Sequence, residues 1–438
     1  MRRLVILFLL LAGLRLILPL GDPGRGSQWL LTLGFLILAA YSVGEVAVGL
    51  NLPKVVGYLV GGMIFGPAGI NQVTAEATAA LEPVSSLAIA LIAYLAGAEL
   101  RWEEVRERWR DILRILTAEL GLTLLLLTVL LTALGNRLPF LEGLDLISRI
   151  AVSLLFASIA VIHSPAVTMA LLSETGARGP VARTTLGIVL VADVVVVILF
   201  TGALAIARVV APPAAAGLGG PGLGTITWEL GGAVLVGSVL GGVVALYLRF
   251  IHRELFLFAV LIAFAGVVLA RLLHVEPLLM LITAGFVSEN VSLPEDGDAL
   301  RNAMERSADP VFVVFFALAG AAIDIDIIRQ TLPLVVPIVV VRAVGLWAGT
   351  RLGSRWAGTP EIGRYVWTGL VAQAGVAIGL AKVAAQAYPD RGLQLQTIFL
   401  AVLGINQLVG PILFRRALAR SKEAAADPVA VPAGAPGR

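Results

Sequence analysis

Ser158–Thr201, SIAVIHSPAVTMALLSETGARGPVARTTLGIVLVADVVVVILFT, decides how the chain folds. It reads as two membrane-spanning helices joined by a short loop. The first is interrupted mid-span by Ile162-His163-Ser164-Pro165. Pro165 removes a backbone donor and clashes with the preceding turn, so the helix breaks there. Broken backbone at membrane depth is tolerated only where it is buried in protein or lines a wet cavity. The second helix carries one carboxylate, Asp193, with apolar neighbours on nearly every side. A charge near the bilayer centre costs at least ~2.5 kcal/mol. A helix break beside a lone buried acid points to an ion site rather than to passive anchoring.

Composition agrees. Of 438 residues 58% are hydrophobic and 14% charged, which excludes a soluble globular domain. Apolar runs long enough to span a bilayer recur throughout, so the chain reads as an all-α polytopic membrane protein. With no cysteine there is neither a disulfide framework nor a thiolate metal site. His163, His252 and His274 fall in separate spans or loops and make no metal centre. No HExxH, GxSxG, Walker or GxGxxG pattern occurs, so neither enzyme chemistry nor a cofactor is expected. The net charge of +3 calls for no nucleic acid partner, because basic cytoplasmic loops are the rule in membrane proteins.

About fourteen spans are expected, near 3–21, 28–50, 54–70, 83–100, 112–135, 147–173, 181–208, 226–250, 254–273, 276–289, 308–324, 332–352, 363–386 and 393–416. The first follows Met-Arg-Arg without a clear cleavage motif and is expected to be retained as an extra helix within 1–27. Loops on the N-terminal side hold most of the arginine, so both termini are expected in the cytoplasm. The acid-rich loop 289–309 is cytoplasmic by parity. A Gly, Ala and Pro-rich linker at 211–225 divides the chain. Six spans precede it, one crosses after it, and six follow. Two groups of six separated by one crossing run in opposite directions, which is the arithmetic of an inverted repeat. The fifth span of each group is interrupted: at Pro165 in the first, and around Gln373 and Gly375 in the second. Interrupted spans in corresponding positions point to a transport site. The tail from Ser421 reads as disordered.

Among the charged or titratable residues inside spans, four bear on an ion site. Asp193 sits near the midplane with no partner nearby in sequence, as does Arg342 in 332–352. Two crossing broken helices leave half-helix termini facing one another, which a buried acid and a buried base would balance. Arginine stays protonated in proteins, so Arg342 is read as charge compensation rather than as a proton carrier. Glu119 has two readings: an ion pair with Arg342, or an acid that reaches cytoplasmic water. His163, at the break, is either a satisfied structural donor or a pH-sensitive group. Ser158, Ser164 and Thr168 offer hydroxyl oxygens to a monovalent cation alongside Asp193, or bond back to their own helix.

These features resemble the sodium/proton exchanger superfamily, and within it the bacterial monovalent cation:proton antiporter-2 branch. The resemblance covers most of 28–416. Pro53-Lys-Val-Val-Gly57-Tyr-Leu-Val-Gly61-Gly-Met-Ile-Phe-Gly66-Pro67 looks like that family's second-span pattern. Leu95-Ala-Gly97-Ala-Glu99-Leu looks like the end of its third, and Pro310-Val-Phe-Val-Val-Phe315-Phe316-Ala-Leu-Ala-Gly320 like its PIFF span. Leu186-Gly187, followed by Asp193, matches the ion-binding helix. The resemblance implies a homodimer with elevator-like alternating access. It divides the chain into a scaffold (28–110 and 254–331), a moving core (111–210 and 332–418), a linker with connecting helix (211–253) and a cytoplasmic tail (419–438). Asp193 falls on the family's cation- and proton-binding aspartate. Arg342 falls where relatives carry lysine or arginine. The residue before the aspartate is Asp or Asn in relatives and is Ala192 here.

The reading is a secondary antiporter in the bacterial inner membrane, serving pH homeostasis, that exchanges Na+, Li+ or K+ for H+. A cation needs Asp193 ionised, and a proton occupies the same oxygens. With alanine at 192 only one titrating group is evident per cycle, so exchange is expected to be electroneutral. The alternatives are a transporter of another solute on the same fold and a transport-inactive membrane scaffold or sensor.

Overall fold

The computed structural model describes residues 25–98, 102–212, 223–251, 254–323, 325–373, 376–388 and 390–424. The expected first helix, the middle of the linker, most of the tail and Gly375 lie outside them. Among the described residues the chain forms sixteen α-helices, three short 3-10 turns and no strand. In order the helices are α1 (Arg25–Gly49), α2 (Lys54–Phe65), α3 (Ala75–Ala80), α4 (Glu82–Ala98), α5 (Trp102–Leu134), α6 (Leu146–Ala160), α7 (Pro165–Thr175) and α8 (Pro180–Val210). They continue as α9 (Leu223–Phe250), α10 (Leu255–Leu273), α11 (Pro277–Val291), α12 (Pro294–Ala321), α13 (Ile325–Ala357), α14 (Val366–Gly369), α15 (Val376–Ala387) and α16 (Gly392–Arg420). Seven helical segments are long and apolar enough to cross a bilayer, counting α6 and α7 as one. Five shorter apolar helices accompany them.

Local chemistry sets where these helices begin and end. Asp145 caps α6, its carboxylate accepting from Ile147 N at 3.1 Å. The hydrogen bonds it takes from Ser148 hold its carboxyl below the usual aspartate value. Val161 to Ser164 leave the helical path, and α7 restarts with Pro165 in its first turn. There Ser164 accepts from Val167 N at 3.2 Å. Proline is at home in a first turn, where its missing N–H would be unpaired in any case. Gly176, at φ +61°, ends α7 in the left-handed conformation that glycine adopts without strain. The carboxylate of Glu423 accepts from Val181 N and Ala182 N at 2.7 and 2.9 Å, which ties the C-terminal segment to the start of α8. The second interrupted span is a single turn, α14, then an irregular stretch, then α15.

The helices pack as two groups. α1, α2, α4 and α9–α12 pack among themselves, with α9 along α11, α11 along α4, and α12 against α2 and α4. α5–α8 and α13–α16 form the other group, with α13 along α5, α8 against α6, and α16 against α13 and α15. α7 touches α2, α4 and α12, so it crosses between the groups. Glycine sets the closest approach. A Cβ at Gly345, Gly349 or Gly353 would lie 2.8, 2.5 or 2.5 Å from the Cα of Thr123, Glu119 or Ile115. This stripe of small residues lets two antiparallel backbones touch, which is how apolar helices associate where lipid removes the hydrophobic driving force.

Several boundaries differ from the sequence expectation. The acid-rich segment taken as the loop 289–309 is helical from Pro294 and continues into the apolar half of α12. α5 and α13 start at Trp102 and Ile325, so the expected domain limits at 111 and 332 fall inside continuous helices. Charged first turns extend these helices beyond their apolar spans, which hydropathy alone does not register.

Candidate functional site

Two polar sites lie within the fold. The first is the crossing of the interrupted spans. Arg342, buried at 1% exposure on α13, donates from Nε to the Ala160 carbonyl at 2.6 Å and from Nη2 to that of Ile162 at 2.9 Å. It also donates to the Val371 and Leu370 carbonyls at 2.7 and 3.0 Å. Ala160 ends α6, Ile162 lies in the break after it, and Leu370 and Val371 lie just past α14, so these are acceptors at the negative ends of two half-helices. The Gln373 amide nitrogen donates to Ala160 as well, at 2.9 Å, and the Gln373 oxygen accepts from Asn406 at 2.8 Å. One guanidinium fork and one amide pair thus satisfy both broken ends.

Glu119 and His163 sit beside this fork. His163 Nδ1 lies 3.0 Å from the Leu370 carbonyl oxygen and Nε2 lies 3.2 Å from Glu119 Oε2. A carbonyl only accepts, so Nδ1 carries the hydrogen. The Nε2–Oε2 contact then needs one shared proton, on the imidazole or on the carboxyl. Thr123 donates to the other oxygen of Glu119 at 3.3 Å. Of the two readings of Glu119, the route to cytoplasmic water fails, because its side chain has no exposure. The direct pair with Arg342 is not formed either. His163 takes that place, while Arg342 stands within electrostatic reach.

The second site is Asp193 on α8, 9% exposed. Neither carboxylate oxygen has a hydrogen-bond partner. They face a small pocket lined by Val194 and Val197 of the same helix and by Glu276, Leu278, Leu279 and Ile282 at the start of α11. α8 belongs to one helix group and α11 to the other, so the pocket lies on the seam. Ser158, His163, Ser164 and Thr168, expected beside Asp193, do not line it. The hydroxyls of Ser158 and Thr168 donate to the carbonyls of Leu155 and Ser164 at 2.7 and 3.1 Å, and that of Ser164 caps α7. Sequence reasoning missed Glu276. Glu-Pro at the start of an apolar run reads as an ordinary helix cap, and Glu276 does cap α11, at 2.5 Å from Leu279 N. Only the tertiary fold brings it to Asp193. Among the described residues no cluster of His, Cys, Asp and Glu has the form of a multidentate metal centre. A buried, unpartnered carboxylate facing a small pocket suits a monovalent ion or a proton.

A helical membrane fold with two interrupted spans and a lone midspan acid defines an ion-transporter class. The chain matches the family model "Sodium/hydrogen exchanger, transmembrane" over residues 33–418, and it belongs to that family. It is therefore a multi-pass membrane transporter rather than an enzyme. It is 25% identical over 308 residues to the "Probable Na(+)/H(+) antiporter 3" of Methanocaldococcus jannaschii, covering 67% of this chain and 72% of that one. It is also 32% identical over 162 residues to "Iron transporter MagA" of Paramagnetospirillum magneticum, covering 36% of this chain and 34% of that protein. In fold it resembles the sodium proton antiporter MjNhaP1 of M. jannaschii. The structure at pH 8 matches with TM-score 0.64 over 89% of this chain and 96% of that chain, at 16% identity. The electron-microscopy structure matches with TM-score 0.68 over 90% and 98%, also at 16% identity.

Proposed function

We propose that the chain is a secondary antiporter that exchanges Na+, Li+ or K+ for protons at Asp193. The observation that carries this reading is the Asp193 carboxylate, buried mid-helix with both oxygens unpartnered and facing a pocket. In a native fold a buried carboxylate is paired or holds a proton or cation. One carboxylate that takes either a cation or a proton, never both, makes their movement an exchange. Arg342 holds the crossing of the broken spans together by compensating two helix C-termini.

Further parts of the proposal concern the whole protein. The groups α5–α8 and α13–α16 act as the moving core, and α1, α2, α4 and α9–α12 as a scaffold that dimerises. Two inverted six-helix repeats within about fourteen spans supply the alternating access. Both termini face the cytoplasm of a bacterial inner membrane. The second-span and PIFF motifs support the monovalent cation:proton antiporter-2 branch. With alanine at 192 and arginine at 342, one proton moves per cation and the exchange is electroneutral.

A second reading, another solute on the same fold, is favoured by the partial similarity to a protein named as an iron transporter. Dequenching of a pH-sensitive dye in proteoliposomes separates the two. Sodium, lithium, potassium and ferrous chloride are added in turn against choline chloride. Proton movement on a monovalent cation supports the antiporter, and movement on ferrous iron alone supports the rival. No movement with any ion favours an inactive scaffold. Clamping the potential with potassium and valinomycin, with sodium as substrate, then tests stoichiometry. A 1:1 exchanger keeps its balance point at every potential, whereas a shifting one shows a second proton.

A further inference from the structure

We propose that Glu276 and Asp193 together form a two-carboxylate subsite for one largely dehydrated monovalent cation on the seam between the helix groups. The inference rests on the antiporter reading and deepens it by naming a second ligand on the opposite wall. The pocket between the two helices holds a cavity of about 10 Å³, roughly the space of one water-sized particle. Its other lining side chains are valine, leucine and isoleucine. Asp193 offers both oxygens free. Glu276 uses Oε2 on the Leu279 N–H. Its own N–H donates to the Glu229 carbonyl at 3.1 Å, which fixes the turn against α9. The cap thus anchors the Glu276 side chain at the pocket, within electrostatic reach of Asp193. Two carboxylates lining one small, otherwise apolar pocket repel unless something positive lies between them. A hard monovalent cation needs several oxygen ligands, and a single carboxylate beside Ala192 supplies too few. Glu276 contributes from the facing helix what the residue at 192 does not.

The two acids sit on different helix groups, so the subsite is complete in only one relative position of the groups. Loss of Glu276 should therefore weaken cation binding from one side of the membrane, whereas loss of Asp193 should abolish it from both.

The test uses the purified full chain. Sodium binding is followed by isothermal titration in choline chloride, and sodium-driven proton flux in proteoliposomes with sodium on either side. Gln at 276 keeps an acceptor for the Leu279 N–H, and the melting temperature in choline chloride shows whether the cap survives. In Glu276→Gln the sodium Kd should rise about tenfold. The apparent KM should rise similarly from one face only, with the maximal rate within about twofold of wild type. Glu276→Asp, which keeps the charge but shortens its reach, should fall between them. Sodium affinity in Glu276→Gln equal to wild type, with Asp193→Asn inactive, overturns the subsite and leaves the antiporter reading intact. A symmetric loss of rate with unchanged KM makes Glu276 a structural cap and also overturns it. Failure of the wild type to bind or exchange sodium, lithium or potassium removes both. Should Glu276→Gln not fold, Glu276→Asp decides alone, and wild-type affinity there rejects the proposal.

Discussion

Arg342 shows how one residue can hold a crossing of broken helices together. Its three guanidinium nitrogens reach four backbone carbonyls that have no intrahelical partner. A hydrogen bond to a charged donor contributes about 1.5–3 kcal/mol, and a buried acceptor left alone costs about 1–3 kcal/mol. Arg342→Ala should therefore destabilise by roughly 3 kcal/mol or more, since such terms do not simply add. Arg342→Lys keeps the charge but loses the planar fork, so it should fall between wild type and alanine. Melting in detergent measures both, and an unchanged melting temperature for the alanine variant would refute the compensating role. At this scale the sequence is legible where a residue is alone of its kind in an apolar span. Asp193 and Arg342 stand out for that reason. Glu276 does not, because its sequence neighbours explain it fully as a cap. The Glu119–His163 contact joins residues 44 apart, and nothing local announces it.

The helices obey rules that are partly local. The break before Pro165 follows from the missing N–H and the ring clash, so it can be read directly. The length of α12 cannot, because its polar first half carries no apolar signal yet continues the same helix. The contact of α5 with α13 depends on glycines whose role appears only when the two helices are seen together. A methyl group at Gly349 would stand 2.5 Å from the Glu119 Cα, against backbone that cannot yield. Gly349→Ala should thus push the helices apart and cost about 1–3 kcal/mol by overpacking. Gly121 on α5 has open space around it. There the same substitution should be neutral or stabilise by up to about 1 kcal/mol, since alanine is the better helix former. The pair is compared by melting in detergent, and equal effects at the two positions would contradict the close-packing account. Because Gly349 packs on Glu119, its alanine variant should also disturb the His163 contact, and any loss of transport should accompany loss of stability.

For the whole molecule, class was legible from composition and the recurring apolar runs. Which helices face each other across the seam was not, because that is decided by packing between segments far apart in the chain. Asp193 belongs to one helix group, and the facing wall of its pocket belongs to the other. In the proposed cycle the Asp193 carboxylate carries both cation and proton. Asp193→Asn keeps the shape of the side chain and removes both charge and titration. The most direct measurement is sodium-driven proton flux in proteoliposomes for wild type and Asp193→Asn, each first shown by size-exclusion elution and melting temperature to be folded alike. The variant should show no exchange above empty liposomes, and exchange at the wild-type rate would rule out Asp193 as the shared carrier.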